Sequence, residues 1–190
     1  RMNFEASARG KELQAELTSF MDSHVYPAEP VYEEQMEALG DPHGHPQIVE
    51  DLKAEARSRG LWNLFMPHET PWTPDPLPNL DYAYLAEISG RSIHLAPEAM
   101  NCAAPDTGNM EVLSLFGTAA QKDQWLQPLM AGEIRSAFAM TEPDVASSDA
   151  TNIQLSITRD GDEYVLNGRK LWISGAASQR CKVFIVMGKT

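Results

Sequence analysis

The sequence has only two cysteines among its 190 residues, Cys102 and Cys181. They stand far apart, and neither belongs to a CxxC or Cys/His pattern that could hold a zinc ion. We therefore expect two buried or half-buried thiols in a protein of a reducing compartment.

Basic residues and long apolar runs are also scarce. The 15 Lys and Arg face 27 Asp and Glu, a net charge of −12, which argues against a nucleic-acid partner because such a partner needs a clustered basic face. A few local Arg or Lys could still bind an anionic ligand. No apolar run approaches the ~18 residues of a membrane span, and the first residues lack the apolar stretch of a secretory signal. We expect a soluble intracellular protein.

Several active-site motifs are missing as well. The sequence has no GxGxxG, GxxxxGKS, GxxxxGKT or GxSxG pattern, so it supports neither a Rossmann dinucleotide site, nor a P-loop, nor a hydrolase nucleophile elbow. His43 and His45 could ligate a metal, but no cluster of carboxylates or cysteines accompanies them in the sequence. We therefore predict no metal.

Helical spacing of apolar residues dominates the first two-thirds of the chain. An apolar series at 13–24 predicts a first helix, which Pro27 and Pro30 should interrupt. Gly60 suits a left-handed helix cap, and Thr118 begins a capping-box pattern. Further helices are predicted at 31–39, 47–59, 79–91, 96–101, 106–116 and 118–130.

Between two of these helices, residues 61–67 look extended and lead into a proline-rich segment. Five prolines occur within residues 67–78, which forbids a helix or the interior of a sheet and predicts a stiff surface loop. This loop is either a plain linker or one wall of a ligand pocket, since long ordered loops are often functional.

The pattern changes after Gly132, where apolar and polar side chains begin to alternate with the period of a half-buried strand. Strands are predicted at 134–140, 153–158, 164–167, 171–174 and 183–187, with a hairpin turn at 160–163. The predicted fold class is α+β, with an all-helical domain at 1–132 followed by an antiparallel, barrel-like β domain at 133–190. Because the last strand would leave an apolar sheet edge unpaired, we expect the intact protein to continue for roughly another 200 residues.

Two segments contain side chains suited to a cofactor. In the first, at 138–153, the hydroxyls of Thr141, Ser147 and Ser148 could bind carbonyl or phosphate oxygens of an anionic cofactor. An ordinary polar turn is the alternative interpretation.

In the second segment, at 168–177, Trp172 and Ser174 are two residues apart on a predicted strand and so share a face. An indole beside a hydroxyl suits a flat heteroaromatic ring. A core tryptophan next to an unrelated serine is the alternative.

Together these segments resemble the acyl-CoA dehydrogenase family. FAMTEPDVASSD followed by NGRKLWIS, in a chain whose helices precede its strands, is jointly specific for that family. The resemblance is weak in the first helices and strong from Asn101 onward. Members have an N-terminal helical domain, a middle β domain and a C-terminal helical bundle, so the resemblance implies that this chain supplies the first and about half of the second.

The resemblance implies FAD as the cofactor and suggests its contacts. The aromatic at Trp172 would pack on the flavin, the hydroxyl at Ser174 would face flavin N5, and Ser148 would lie near the thioester or pantetheine arm of the substrate. The implied FAD-lining positions are Phe138, Met140, Thr141, Ala146, Ser147, Trp172, Ile173 and Ser174. Most members read TEPGAGSD where this chain reads TEPDVASSD, so the register at Ser147 and Ser148 is open by one position.

The implied reaction is α,β-dehydrogenation of an acyl-CoA thioester, with electrons passed to an electron-transfer flavoprotein. In most members the base is a glutamate of the C-terminal bundle, so we name no catalytic residue and interpret Glu142 as a structural acceptor. NCAAPDTGNMEVL at 101–113 resembles a branch that in animals is fused to a kinase-like domain and is associated with long, branched or 4-hydroxyacyl-CoAs.

Two alternatives stay open. One is an acyl-CoA oxidase-type flavoenzyme, in which O₂ replaces the protein acceptor, and the other is a non-catalytic, dehydrogenase-like binding module. The resemblance further implies a homodimer or homotetramer, located in the cytoplasm of a bacterium or in the mitochondrial matrix or peroxisome of a eukaryote.

Overall fold

In the computed structural model, which describes residues 3–190, helices form the first two-thirds of the chain and short strands the last third. The helices are α1 (Ala8–Phe20), α2 (Tyr26–Leu39), α3 (Gln47–Ser58), α4 (Asn79–Ser89), α5 (Ala96–Ala99), α6 (Asp106–Phe116), α7 (Ala119–Gln121) and α8 (Gln127–Met130). The predicted α+β class and the order of its parts are confirmed. Among the described helices, none is long and apolar enough to cross a membrane.

Prolines do not break the first helix. α1 and α2 are joined by one turn of π-helix, Met21–Val25, and both Pro27 and Pro30 lie within α2, so the predicted interruption is wrong. A proline ring crowds the carbonyl four residues before it and offers no N–H of its own. The wider π turn, whose hydrogen bonds reach back five residues, relieves that crowding for Pro27. A second π turn, Lys122–Leu126, precedes Pro128 in the same way.

Two helix ends show the predicted caps. Gly60 has a φ of 70° just beyond the end of α3. The side chain of Thr118 accepts a hydrogen bond from the N–H of Gln121, whose side chain accepts one from the N–H of Thr118. Both predictions are confirmed, because caps depend on residues that are close in sequence.

Residues 61–67 form a turn and not the predicted extended segment. Asn63 has a left-handed φ of 59°, its N–H binds the carbonyl of Met100, and its side-chain amide binds the carbonyl of Met130. These distant carbonyls hold the turn closed. The proline-rich residues 67–78 form the predicted irregular loop.

The β part consists of two pairs of strands: β1 (Arg135–Ala139) with β4 (Cys181–Val186), and β2 (Ser156–Asp160) with β3 (Glu163–Asn167). β2 and β3 form the predicted antiparallel hairpin. β1 and β4 are parallel, so the prediction of a wholly antiparallel sheet is wrong for this pair. The chain between β1 and β4, which includes the β2–β3 hairpin, returns to the start of β1, so that β4 begins there. A parallel pair requires such a crossover.

Two hydrophobic clusters support this arrangement. The first lies among α1 to α5 and includes Leu17, Phe20 and Leu85, which are all fully buried. The second includes Met110 of α6, and the half-buried Val183 of β4 packs against it. The second cluster therefore joins the helices to the strands. The division of the chain into domains at residue 132 stays a prediction.

Charged side chains also span the junction between helices and strands. We call this group the junction cluster: His45, Glu50, Lys53, Glu98, Arg135 and Arg180. Glu98 accepts hydrogen bonds from Arg135 at 2.6 Å and from Arg180 at 2.7 Å. Burial raises the pKa of Glu98, but the neighbouring Arg135 and Lys53 charges and the two arginine hydrogen bonds lower it to about 2.

His45 belongs to the junction cluster, where both of its ring nitrogens have partners. Its Nε2 lies 2.6 Å from the carboxylate of Glu50, and its Nδ1 lies 3.1 Å from the guanidinium of Arg180. Within residues 3–190, no group of three or more His, Cys, Asp or Glu side chains could hold a metal ion.

Candidate functional site

A cleft of about 440 Å³ opens where β1 ends. The loop after β1 forms one side, and the segment after β3 forms the other. The lining residues are Met140, Thr141, Glu142, Pro143, Val145, Ser147, Ser148, Leu171 and Trp172. Five of them were predicted to contact cofactor or substrate, so the fold brings together residues from both of the segments singled out in the sequence.

Trp172 projects from an irregular segment and not from a strand. Leu171 donates its N–H to the carbonyl of Thr141 at 2.9 Å, Trp172 then adopts a left-handed φ of 55°, and a turn follows at 174–177. The predicted strand here is wrong because the chain reverses direction, so Trp172 and Ser174 do not share a strand face. The indole is 84% exposed, which leaves a broad aromatic face available to a ligand.

The four predicted hydroxyl groups differ in their surroundings. Ser147 is buried, and its Oγ accepts the N–H of Glu142 at 2.8 Å, so it closes the loop on itself. The hydroxyls of Thr141, Ser148 and Ser174 make no hydrogen bond within the described part of the chain. These three hydroxyls can therefore donate to a ligand without breaking an internal bond.

Glu142 is fully engaged by its neighbours. Its carboxylate accepts hydrogen bonds from the N–H of Gln154 at 2.7 Å, from the N–H of Leu155 at 2.9 Å and from Lys170 Nζ at 2.9 Å. Burial raises the pKa of Glu142, but the two backbone donors and Lys170 lower it to about 2. Such a carboxylate is a poor proton acceptor near neutral pH, which agrees with its interpretation as a structural acceptor.

A second, almost wholly apolar groove of about 400 Å³ lies between α6 and β1. Phe138 forms its β1 side, and the other lining residues are Ala104, Pro105, Thr107, Gly108, Asn109 and Val112. Two polar side chains hold α6 against β1. Asp106 accepts hydrogen bonds from the N–H of Ser136 at 2.7 Å and from its hydroxyl at 2.5 Å, and Asn109 donates to the same hydroxyl at 2.8 Å.

Not every predicted residue lines these cavities. Ala146, Ile173 and Ser174 lie in the same loop and turn but line neither the cleft nor the groove. Sequence reasoning also missed Lys170 as the partner of Glu142. The sequence alone does not single out this pair, because the first motif also contains Asp144 and Asp149 and the second also contains Arg169.

The residues around the cleft fit FAD. The flavin ring is flat and aromatic, with hydrogen-bond acceptors along one edge, and the rest of FAD is anionic at its phosphates. An exposed indole at Trp172 offers packing area to such a ring. The unpartnered hydroxyls of Thr141 and Ser148 offer donors for its oxygens and nitrogens.

The class of protein follows from domain comparisons. Residues 7–133 match the acyl-CoA dehydrogenase N-terminal domain, and residues 137–190 match the acyl-CoA dehydrogenase middle domain. The chain belongs to the acyl-CoA dehydrogenase family.

Within that family, the chain is similar to the probable acyl-CoA dehydrogenase FadE2 of Mycobacterium tuberculosis, with 55% identity over 190 residues. It is 52% identical to acyl-CoA dehydrogenase family member 11 of Gallus gallus. The predicted resemblance to this branch is confirmed. The matches cover 100% and 98% of this chain but 46% and 24% of the two relatives, so the chain spans about half the length of the first and about a quarter of the second.

A solved structure shows the same fold. The chain superimposes on a Mycobacterium abscessus protein assigned to the acyl-CoA dehydrogenases with a TM-score of 0.86 and 47% identity. The match covers 96% of this chain and 46% of that one. The predicted acyl-CoA dehydrogenase fold is therefore confirmed.

Proposed function

We propose that the protein containing this chain is an FAD-dependent acyl-CoA dehydrogenase, and that the cleft at the end of β1 holds the flavin. One observation carries the proposal. Residues of two separate segments line a single cleft, and they include the exposed indole of Trp172 and the unpartnered hydroxyls of Thr141 and Ser148. Family membership supports the same chemistry.

Each side chain would then have a distinct task. FAD, when bound, supplies a ring able to accept a hydride. Trp172 would cover one face of that ring and hold it flat. Thr141 and Ser174 would donate hydrogen bonds to ring atoms that gain negative charge on reduction, which stabilises the reduced form more than the oxidised one. Ser148 would bind the thioester or pantetheine arm. We propose no residue of this chain as the base, because the resemblance implies a glutamate of the C-terminal bundle in that role.

The groove between α6 and β1 would receive the hydrocarbon chain of the substrate. Its lining is almost wholly apolar, with Phe138 on one side and Val112 on the other. An apolar groove binds hydrocarbon by removing it from water and without directional bonds. This supports a long or branched acyl-CoA, or a 4-hydroxyacyl-CoA, as the resemblance to the branch also implies.

The same resemblance supports an electron-transfer flavoprotein as the electron acceptor and a homodimer or homotetramer as the assembly. It also supports the cytoplasm in a bacterium, or the mitochondrial matrix or peroxisome in a eukaryote, as the location.

The proposal is tested on the full-length protein that contains this chain. We expect it to purify with one FAD per subunit, and the flavin should be reduced when acyl-CoA thioesters of increasing length are added without oxygen. Rapid peroxide formation in air would favour an acyl-CoA oxidase instead. A colourless protein that takes up no added FAD would favour the non-catalytic binding module.

A further inference from the structure

The buried ion pair between Glu142 and Lys170 has no role in the chemistry described above. Their side chains are only 4% and 10% exposed, and the charged atoms lie 2.9 Å apart. Removing two charges from water costs free energy that their mutual attraction often fails to return. A contribution to the free energy of unfolding therefore does not by itself explain why the two charges are buried at this position.

The pair ties together three segments that are distant in sequence. Glu142 accepts the N–H groups of Gln154 and Leu155, which lead into β2. Lys170, after β3, also donates to the carbonyl of Met140, at the end of β1, at 2.9 Å. The end of β1, the approach to β2 and the segment after β3 thus meet at one carboxylate and one ammonium group.

The two segments that line the proposed flavin site each contain one residue of this pair. On one side, Thr141 adjoins Glu142, and Ser147 accepts the N–H of Glu142 at 2.8 Å. On the other side, Lys170 is followed by Leu171, whose N–H binds the carbonyl of Thr141 at 2.9 Å, and then by Trp172. The spacing between the Thr141 loop and the indole is therefore set where Glu142 and Lys170 meet.

The neighbouring packing leaves little freedom for this junction to shift. A Cβ added to Gly168 would lie 2.7 Å from the Cα of Leu155, a distance far inside van der Waals contact. The segment that leads to Lys170 therefore lies directly against the approach to β2. Small movements of either segment would be passed to the other.

We propose that Glu142 and Lys170 are positioning residues for FAD, which hold the Thr141 loop and Trp172 at the spacing that the flavin requires. This inference rests on the proposed function. Glu142 lines the cleft, but its carboxylate is already engaged by neighbouring residues, so neither charged group is proposed to bind the cofactor. Because the pKa of Glu142 is lowered to about 2, its carboxylate stays charged throughout the physiological pH range.

The test compares variants of the full-length protein after removal of FAD. We expect Glu142→Gln and Lys170→Met to weaken FAD binding about ten- to a hundredfold, since a misplacement near 1 Å has effects of that order. Lys170→Arg, which keeps the charge, should restore most of the affinity. The readouts are the FAD dissociation constant from fluorescence titration and the melting temperature of the FAD-free protein.

Asp81→Asn provides a matched control in the helical part. Asp81 is also a buried carboxylate with two hydrogen bonds, from the N–H of Ser7 at 2.8 Å and from its hydroxyl at 2.5 Å. This variant should lower the melting temperature and leave FAD affinity unchanged. If Glu142→Gln and Lys170→Met behaved like Asp81→Asn, with lower melting temperatures but wild-type FAD affinity, the pair would be structural only and the inference would be overturned.

Hydrogen exchange separates failure of this inference from failure of the proposed function. A wild-type protein that binds no FAD would overturn the proposed function. The coupling itself is measured without FAD, because Lys170→Met should speed amide exchange at both Leu155 and Leu171, which lie in different segments. Unchanged exchange at Leu171 would show that the pair does not hold the Trp172 segment and would contradict the inference directly.

Discussion

Replacing Trp172 with alanine distinguishes a ligand-binding role from a role in folding. The indole is 84% exposed, so in the absence of cofactor little packing is lost, and the free energy of unfolding should change by less than about 0.5 kcal/mol. The left-handed φ of 55° at this position is unfavourable for tryptophan and alanine alike. The backbone contribution therefore largely cancels.

The loss of FAD affinity can be estimated from the same exposure. A tryptophan side chain presents about 200 Å² of surface, and a flavin lying on one face would cover about 100 Å². At about 25 cal/mol per Å², this contact contributes about 2.5 kcal/mol, so Trp172→Ala should weaken FAD binding about 70-fold.

Fluorescence titration with FAD and a thermal melt of the FAD-free protein test this prediction together. Tyr164→Ala is the matched control, because Tyr164 is an exposed aromatic residue on β3 that lines neither cavity. The reasoning would be refuted by a Trp172→Ala protein that melts at a lower temperature yet binds FAD as tightly as the wild type.

Four other substitutions test the flavin contacts, the apolar groove and the junction cluster. Ser174→Ala and Thr141→Ala should each slow flavin reduction by roughly ten- to a thousandfold at a nearly unchanged melting temperature; wild-type rates in stopped-flow reduction with a lower melting temperature would contradict this. Val112→Trp should fill the apolar groove and raise KM for long-chain acyl-CoAs by about tenfold, whereas an equal effect on short-chain substrates would be the wrong outcome. Glu98→Gln should lower the free energy of unfolding at neutral pH by about 3 kcal/mol. The folded protein lowers the pKa of this carboxylate from 4.5 to about 2, and a shift of one pKa unit corresponds to about 1.36 kcal/mol. Because the folded-state pKa is depressed, the wild type has this stability in full above about pH 4.5 and loses it as the pH falls through about 2. Chemical denaturation across that range should show that the free energy of unfolding depends less on pH in the variant than in the wild type. If the two proteins showed the same pH dependence, the junction cluster would not be the source of this stability.

Features that depend on neighbouring residues could be predicted from the sequence. The apolar spacing at 106–116 and the capping box at Thr118 correspond to observed elements, because helix periodicity and caps are local. The prolines at 27 and 30 misled the prediction, since a single π turn ahead of them is enough to keep the helix continuous. The spacing of apolar residues and prolines in the sequence does not predict a π turn.

Features that depend on distant contacts could not be predicted in the same way. The parallel pairing of β1 with β4 follows from the path of the chain through the hairpin and from no property of either strand. The backbone of Trp172 departs from a strand at its left-handed φ, just ahead of the turn at 174–177. The cofactor residues were proposed from resemblance to a family motif, whereas the pairing of Glu142 with Lys170 became visible only in three dimensions.

The visible spectrum of the purified full-length protein, recorded before and after anaerobic addition of a long-chain acyl-CoA, tests the central claim most directly. We expect a flavin absorption band at one FAD per subunit that is bleached by the substrate, with Trp172→Ala showing a reduced flavin content. A protein that carries no flavin and binds none when FAD is supplied would contradict the assignment of the cleft at the end of β1.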